Sequence, residues 1–228
     1  LKCAVYFGSR EIYWDMVSAA KSLLAHSDVD KIYYLIEDDE YPFETSPSIE
    51  TINISKLIWE IYDPSGANVQ QRWTYIGLIR SALTKVFPDL DKILTIDCDT
   101  IVTQDISDLW DIPLDDYYFA AVKEPALSAM THGLYTNSGV AMMNLKKLRE
   151  DGKDDEMIRL LNTRALYFVC QDAMNACCQG KILEISNEYN ANRYTGTCYN
   201  QKVIHYAGLS NWRFLDIVKE YREMEWPR

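Results

Sequence analysis

The sequence predicts an α/β fold, a mixed sheet flanked by helices and largely parallel at its start. Three observations predict it. Apolar runs of strand length recur along the chain, and segments of helical period lie between the early ones. The chain has 228 residues, 48% of them hydrophobic, which is enough for one sizeable core.

The first strand is expected at Cys3 to Phe7. A stripe of Met16, Val17, Ala20, Leu23 and Leu24 then marks a helix. Strands follow at Ile32 to Ile36 and Thr51 to Ile54. Asp63-Pro64-Ser65-Gly66 is a turn cluster. Trp73, Ile76, Leu83 and Phe87 form a second helical stripe. Further strands are expected at Ile93 to Ile96, Tyr118 to Val122, Gly139 to Met143, Lys181 to Ile185 and Val203 to Tyr206, with a helix over Asp172 to Cys178. No composition shift marks a boundary, so residues 1–228 are expected to form a single domain. In such a sheet the binding crevice lies at the carboxyl ends of the strands.

The formal net charge of -11 provides no basic footprint for nucleic acid. No run approaches the ~18 apolar residues of a membrane span, so at most a peripheral membrane association is expected. The six cysteines fit neither a C-x-x-C zinc site nor a small disulfide scaffold. They suggest a reducing, cytoplasmic setting.

Five local patterns carry chemistry. At Asp97-Cys98-Asp99 an apolar strand runs into two carboxylates spaced by two. In extended backbone both point to the same side, and Cys98 to the other. Two such oxygens can chelate a hard divalent cation that neutralises a diphosphate; the alternative is an acidic turn. Arg80 falls on the apolar face of its own helix, so it needs an anionic partner or must snorkel to solvent. His205 ends a strand three residues before Gly208, a residue that permits close backbone approach. Asn137-Ser138 forms a polar turn that opens a buried strand, suited to sugar hydroxyls or simply to closing the turn. Asp172 suits the first turn of a helix and leaves Gln171 free for another role.

In this order, these pieces resemble glycosyltransferase family 8, the group of glycogenin and the bacterial lipooligosaccharide galactosyltransferases and glucosyltransferases. The likeness runs from the Ala19-Ala20-Lys21-Ser22-Leu23-Leu24 helix to Trp212. Thr74, Arg80 and Pro88 match the spacing of a family Thr, Arg and Pro. Asp97-Cys98-Asp99 stands at the Asp-x-Asp motif, and His205 at the third metal ligand of the H-x-x-G ending. Asn137-Ser138-Gly139 matches F-N-S-G-V, and Gln171 matches the Gln of D-Q-D.

The resemblance implies a single nucleotide-sugar-binding domain of GT-A type. It implies transfer of glucose or galactose from a UDP-sugar, with retained configuration, to a glycan, glycolipid or protein acceptor. Asp97, Asp99 and His205 would hold Mn²⁺ (or Mg²⁺). Phe7, Gly8, Tyr13, Arg80, Cys98, Asn137, Ser138, Gln171, Gly208 and Asn211 would contact the donor, and Glu124 the acceptor. Gln171, Arg80 and Asp97 are the expected catalytic set, with the Gln171 amide oxygen orienting the acceptor or easing charge at the anomeric carbon.

Three positions depart from the family pattern. Cys170 replaces an Asp that contacts donor hydroxyls. Asn211 or Ser210 stands where a diphosphate Lys is usual, which leaves Arg213 as a substitute. Ser9-Arg10 replaces an acidic pair. These departures keep two alternatives open, a weak or inactive UDP-sugar-binding relative and a nucleotidyltransferase on a related fold. The sixteen tyrosines also allow glycogenin-like self-glycosylation.

Overall fold

The computed structural model describes residues 1–70 and 75–227. The expected Trp73 end of the second helix and the Thr74 match lie outside these residues. The chain opens with β1 (Cys3–Phe7), α1 (Tyr13–His26), β2 (Lys31–Ile36), β3 (Ile49–Asn53) and α2 (Ser55–Ile61). A 3-10 helix over Tyr75–Ala82 leads into α3 (Leu83–Val86) and β4 (Lys92–Ile96), then β5 (Thr100–Val102) and β6 (Phe119–Lys123). Next come α4 (Pro125–Thr131), β7 (Thr136–Asn144), α5 (Leu145–Glu150), α6 (Lys153–Thr163) and α7 (Cys170–Cys177). The last elements are β8 (Ile182–Ile185), β9 (Val203–His205) and α8 (Asp216–Glu223).

Among the described residues the main sheet has seven strands in the order β3-β2-β1-β4-β7-β6-β8. β1 pairs in parallel with β2 and β4, and β2 with β3. β7 runs antiparallel to both β4 and β6. The sheet is therefore mixed: its first strands in sequence are parallel, and β6 and β8 also pair in parallel at the far edge. The carboxyl ends of β1, β4 and β6 and the amino end of β7 consequently meet along one edge.

Period two explains the layering. Cys3, Val5 and Phe7 enter one buried cluster with Ile79, Leu83 and Met174, while Ala4 and Tyr6 enter the other with Met16, Ala20 and Leu23. The sheet is buried on both faces, as a largely parallel start requires. Each fully buried Leu or Ile contributes about 1.5–3 kcal/mol.

Local differences from the expected elements have physical causes. The second amphipathic segment winds as a 3-10 helix through Ala82 and becomes α-helical only from Leu83. β5 is too short to show alternation, and it exists because it pairs antiparallel with β9, Thr100 opposite His205. β7 begins before Gly139, so Asn137 and Ser138 lie inside a buried strand rather than in a turn. Asn175 Oδ1 there accepts the Thr136 N–H at 2.7 Å.

Candidate active site

The edge where these strand ends meet encloses a cavity of about 370 Å³. Asp97 and Asp99 follow β4 in a tight turn, not in extended strand as expected. Thr100 Oγ1 closes the turn by donating to the Asp97 carbonyl at 2.7 Å, and Tyr206 N–H holds the Asp99 carbonyl at 2.9 Å. Cys98 still faces away, its thiol 3.4 Å from the Phe7 carbonyl, although it also touches the cavity lining.

The β5–β9 pairing delivers His205 to the same turn. Its Nε2 lies 3.2 Å from Asp99 Oδ1 and 3.7 Å from Asp97 Oδ2. One ligand atom from each of the three residues falls within 4.8 Å of the others. His205 is only 4% exposed, against 28% and 29% for the two carboxylates. Burial pulls the imidazole pKa down, but the charge of Asp99 and its hydrogen bond outweigh burial and raise it. Burial raises Asp97 despite the pull of Arg80 and His205. In Asp99 burial pushes upward too, but His205 prevails and the net shift is downward.

Arg80 does not snorkel. It is buried and ion-pairs with Asp97 Oδ1, leaving Oδ2 on the side of His205. Its Nη1 donates to Ser138 Oγ at 2.9 Å and approaches Cys170 Sγ at 3.6 Å, and the guanidinium lies 4.6 Å over the Phe7 ring. Arg80 Nε is buried and has no hydrogen-bond partner among the described residues. Burial works against its charge, but Asp97 outweighs burial and raises the pKa. Burial raises the Cys170 thiol despite Arg80, so a neutral group stands at that wall.

The opposite wall is a polar network. Gln171 sits in the first turn of α7, which starts at Cys170, ahead of the expected Asp172. Asp172 Oδ2 accepts from the Phe168 N–H at 2.8 Å, so it pins the residue ahead of the N-cap Val169 rather than capping a free N–H of the helix as expected. The Gln171 oxygen is not free. It accepts from Ser138 N–H at 2.9 Å, and its amide nitrogen points to Glu124 Oε1 at 3.2 Å and Tyr135 Oη at 3.3 Å. Asn137 donates to Glu124 Oε1 at 2.6 Å.

Most of the expected residues line this cavity: Phe7, Arg80 and Cys98 with the Asp97–Asp99–His205 group, then Glu124, Asn137, Ser138, Gln171 and Gly208. Three do not. The Tyr13 hydroxyl donates to Asp38 at 2.9 Å, turned toward the loop after β2, and Ile12 lines the cavity in its place. Gly8 packs against Ile12, where a Cβ would fall 2.7 Å from Cγ1. Asn211 is exposed outside the lining. The adjacent Trp212, buried and stacked 5.7 Å from Tyr206, swings Arg213 to the cavity instead. Arg213 is held there by Asp15, with Nε 2.7 Å from Oδ2. Asp15 and Asn190 are site residues without a local sequence signal, since each is placed by contacts far along the chain.

The sequence profile of glycosyl transferase family 8 matches residues 16–213. The chain belongs to glycosyl transferase family 8. A putative glycosyltransferase of Haemophilus influenzae is 30% identical over 131 residues, 51% of this chain and 40% of that protein. The lipopolysaccharide 1,2-glucosyltransferase of Escherichia coli K12 is 29% identical over 58% of this chain and 48% of its own. The chain thus spans less than half the length of these relatives. In three dimensions the bifunctional glycosyltransferase WbbM aligns with a TM-score of 0.77 at 17% identity, over 97% of this chain and 49% of that one. The galactosyltransferase LgtC, solved with donor and acceptor sugar analogs, aligns with a TM-score of 0.74 at 18% identity, over 96% and 95%. These likenesses establish the GT-A type of the family 8 fold.

Proposed function

We propose that this chain transfers glucose or galactose from a UDP-sugar, with retained configuration, to a glycan, glycolipid or protein acceptor. One observation carries the reading: two carboxylates and an imidazole converge beside a buried arginine at the strand ends. The set fits a divalent cation. It offers two hard oxygens and a nitrogen within 4.8 Å of one another, and the other imidazole nitrogen is engaged by Asn190 at 2.8 Å. Asp97, Asp99 and His205 would hold Mn²⁺ or Mg²⁺, which supplies positive charge to a departing diphosphate.

The remaining roles belong to the chain itself. Arg80 adds a fixed positive charge, a preorganised electrostatic contribution. Phe7, Ile12 and Cys98 stand at the nucleotide end, with Gly8 and Tyr13 behind them. Gly208 and Arg213 flank the diphosphate side, and Arg213 takes the place expected of Asn211. Asn137, Ser138 and Gln171 form the sugar wall, and Glu124 the acceptor side. Gln171 positions and does not attack: its oxygen is held by Ser138, and an amide is a poor nucleophile. Front-face attack on an oxocarbenium-like centre is consistent with that wall. The hexose preference draws support from the relatives named as glucosyltransferase and galactosyltransferase.

We place the protein in the cytoplasm on its free thiols, five of them buried. No helix among the described residues is long and apolar enough to cross a membrane, and a peripheral membrane contact fits a glycolipid acceptor. Residues 1–228 are proposed to act as a single domain.

The test is to incubate UDP-glucose, UDP-galactose and their N-acetyl forms with the protein, with and without Mn²⁺, and to measure release of UDP. Metal-dependent cleavage of a hexose donor supports the reading. UDP binding without cleavage or transfer would instead identify an inactive UDP-sugar-binding relative.

A further inference from the structure

We propose that Asn190 is a positioning residue that locks His205 in the tautomer whose bare Nε2 faces Asp97 and Asp99. The proposal deepens the metal reading above, but its first half stands on hydrogen bonds alone. The Gly139 backbone N–H can only donate, and it lies 2.9 Å from Asn137 Oδ1, so that atom is the amide oxygen. The Asn137 NH₂ then faces Glu124 Oε1 at 2.6 Å, as a carboxylate requires.

The order now propagates. The Asn190 atom 2.8 Å from the Asn137 oxygen must be its NH₂, because two acceptors do not bond. The Asn190 oxygen is left facing His205 Nδ1 at 2.8 Å. That oxygen only accepts, so Nδ1 carries a proton. Asp99 Oδ1 accepts as well, so the metal-free ring keeps a second proton on Nε2 until alkaline pH or a cation removes it and leaves the Nδ1–H tautomer. Nε2 is the nitrogen beside Asp99 Oδ1, at 3.2 Å.

A second backbone donor agrees. Tyr194 N–H donates to Asn192 Oδ1 at 2.8 Å, which makes the other Asn192 atom an NH₂. That NH₂ lies 3.0 Å from Asn190 Oδ1 and 3.2 Å from the Asn190 carbonyl, both nearer than His205 Nδ1 at 3.4 Å. Reversing the tautomer would require flipping linked amides against fixed backbone donors. Asn190 is fully buried, and His205 N–H donates to the Ala191 carbonyl at 3.0 Å, so the turn carrying Asn190 is tied to β9 itself. A metal-ligating imidazole needs its second nitrogen engaged in this way.

Long-range nitrogen–proton NMR of the histidine-labelled, metal-free protein at alkaline pH reads the tautomer directly. His205 should carry its proton on Nδ1. Asn190→Leu should shift the proton to Nε2, in part or in full, and lower Mn²⁺ affinity in the presence of UDP by about 10–100-fold. Asn190→Asp keeps an accepting oxygen toward Nδ1 but gives up the NH₂ that Asn137 Oδ1 accepts from, so it should hold the wild-type tautomer while recovering only part of the affinity. A wild-type His205 protonated on Nε2 overturns the proposal. So does an Asn190→Leu variant with unchanged tautomer and unchanged affinity. If Asn190→Leu does not fold, the wild-type spectrum and Asn190→Asp decide. An Nδ1–H tautomer in a protein that takes up no Mn²⁺ would retire the metal reading and leave the tautomer lock standing.

Discussion

Gly139 lies beneath the imidazole of His205, where a Cβ would fall 2.1 Å from Cε1 and 2.5 Å from Nδ1. No side chain at position 139 leaves the ring where it is. Gly139→Ala should therefore displace His205 from Asp99 and lower Mn²⁺ affinity in the presence of UDP by at least about tenfold. Calorimetry, with a melting curve to confirm folding, is the check. A folded variant with wild-type affinity would show that the ring position does not matter.

Metal and nucleotide are expected to bind together. Two carboxylates and an imidazole fill only part of a six-coordinate shell, which leaves positions for phosphate oxygens and water. Mn²⁺ should bind tightly only when UDP is present, and EDTA should weaken UDP binding. Equal UDP affinity with Mn²⁺ and with EDTA would remove the cation from the proposed mechanism.

The metal affinity should depend on pH with a definite sign. Asp99 and Asp97 together outweigh burial and hold His205 above its ordinary value of 6.5. Below that raised value a proton must leave before the cation enters. Affinity should fall as pH falls, beginning above pH 6.5 and approaching about tenfold per unit for one displaced proton. The burial-raised Asp97 adds to the same slope at lower pH. A pH titration of His205→Asn should be flatter over the imidazole range; the same slope in that variant would assign the proton elsewhere.

Arg80 separates electrostatics from packing. Arg80→Ala should lower donor turnover about a hundredfold or more. It also leaves Asp97 without its partner. That loss should cost less than the about 3–5 kcal/mol of a fully buried pair, because Asp97 is 28% exposed. Arg80→Lys keeps the charge but cannot reach Asp97, Ser138 and Cys170 together, so it should rescue little. Full activity in both variants, with only a lowered melting temperature, would make Arg80 structural.

Gln171→Ala should lower turnover by roughly ten- to a thousand-fold, about 1.4–4 kcal/mol of transition-state stabilisation, with UDP affinity almost unchanged. Cys170→Asp should alter the ranking of donor sugars more than the overall rate, because it restores an acceptor where a neutral thiol stands. Turnover unchanged in Gln171→Ala on the best donor would reduce this segment to a helix start.

Much of this site was legible in the residues. The apolar run from Cys3 to Phe7 marked a strand, and the structure sends Cys3, Val5 and Phe7 one way and Ala4 and Tyr6 the other. The position of Arg80 on an apolar face left a choice between an anionic partner and snorkelling to solvent, and the structure gives it Asp97 as partner. The shared direction of Asp97 and Asp99 was anticipated for the wrong reason, since a turn closed by Thr100 aligns them, not strand alternation. The Gln171 oxygen, expected to be free, is held by a backbone donor of β7. Tyr13 and Ile12 differ by one position, and only helix rotation selects which of them reaches the cavity.

The sequence by itself determined the α/β class, the strands that bring the Asp pair and His205 to their ends, and the apolar stripe that carries Arg80. These follow from short-range periodicity, which adjacent residues enforce. The tertiary structure decided which distant groups meet. Asn190 reaches His205 and Asn137, Asp15 reaches Arg213, and Gly139 makes room for an imidazole from β9. Such contacts depend on strand order and register, here the antiparallel match of Thr100 with His205, and no local pattern encodes a pairing between segments a hundred residues apart.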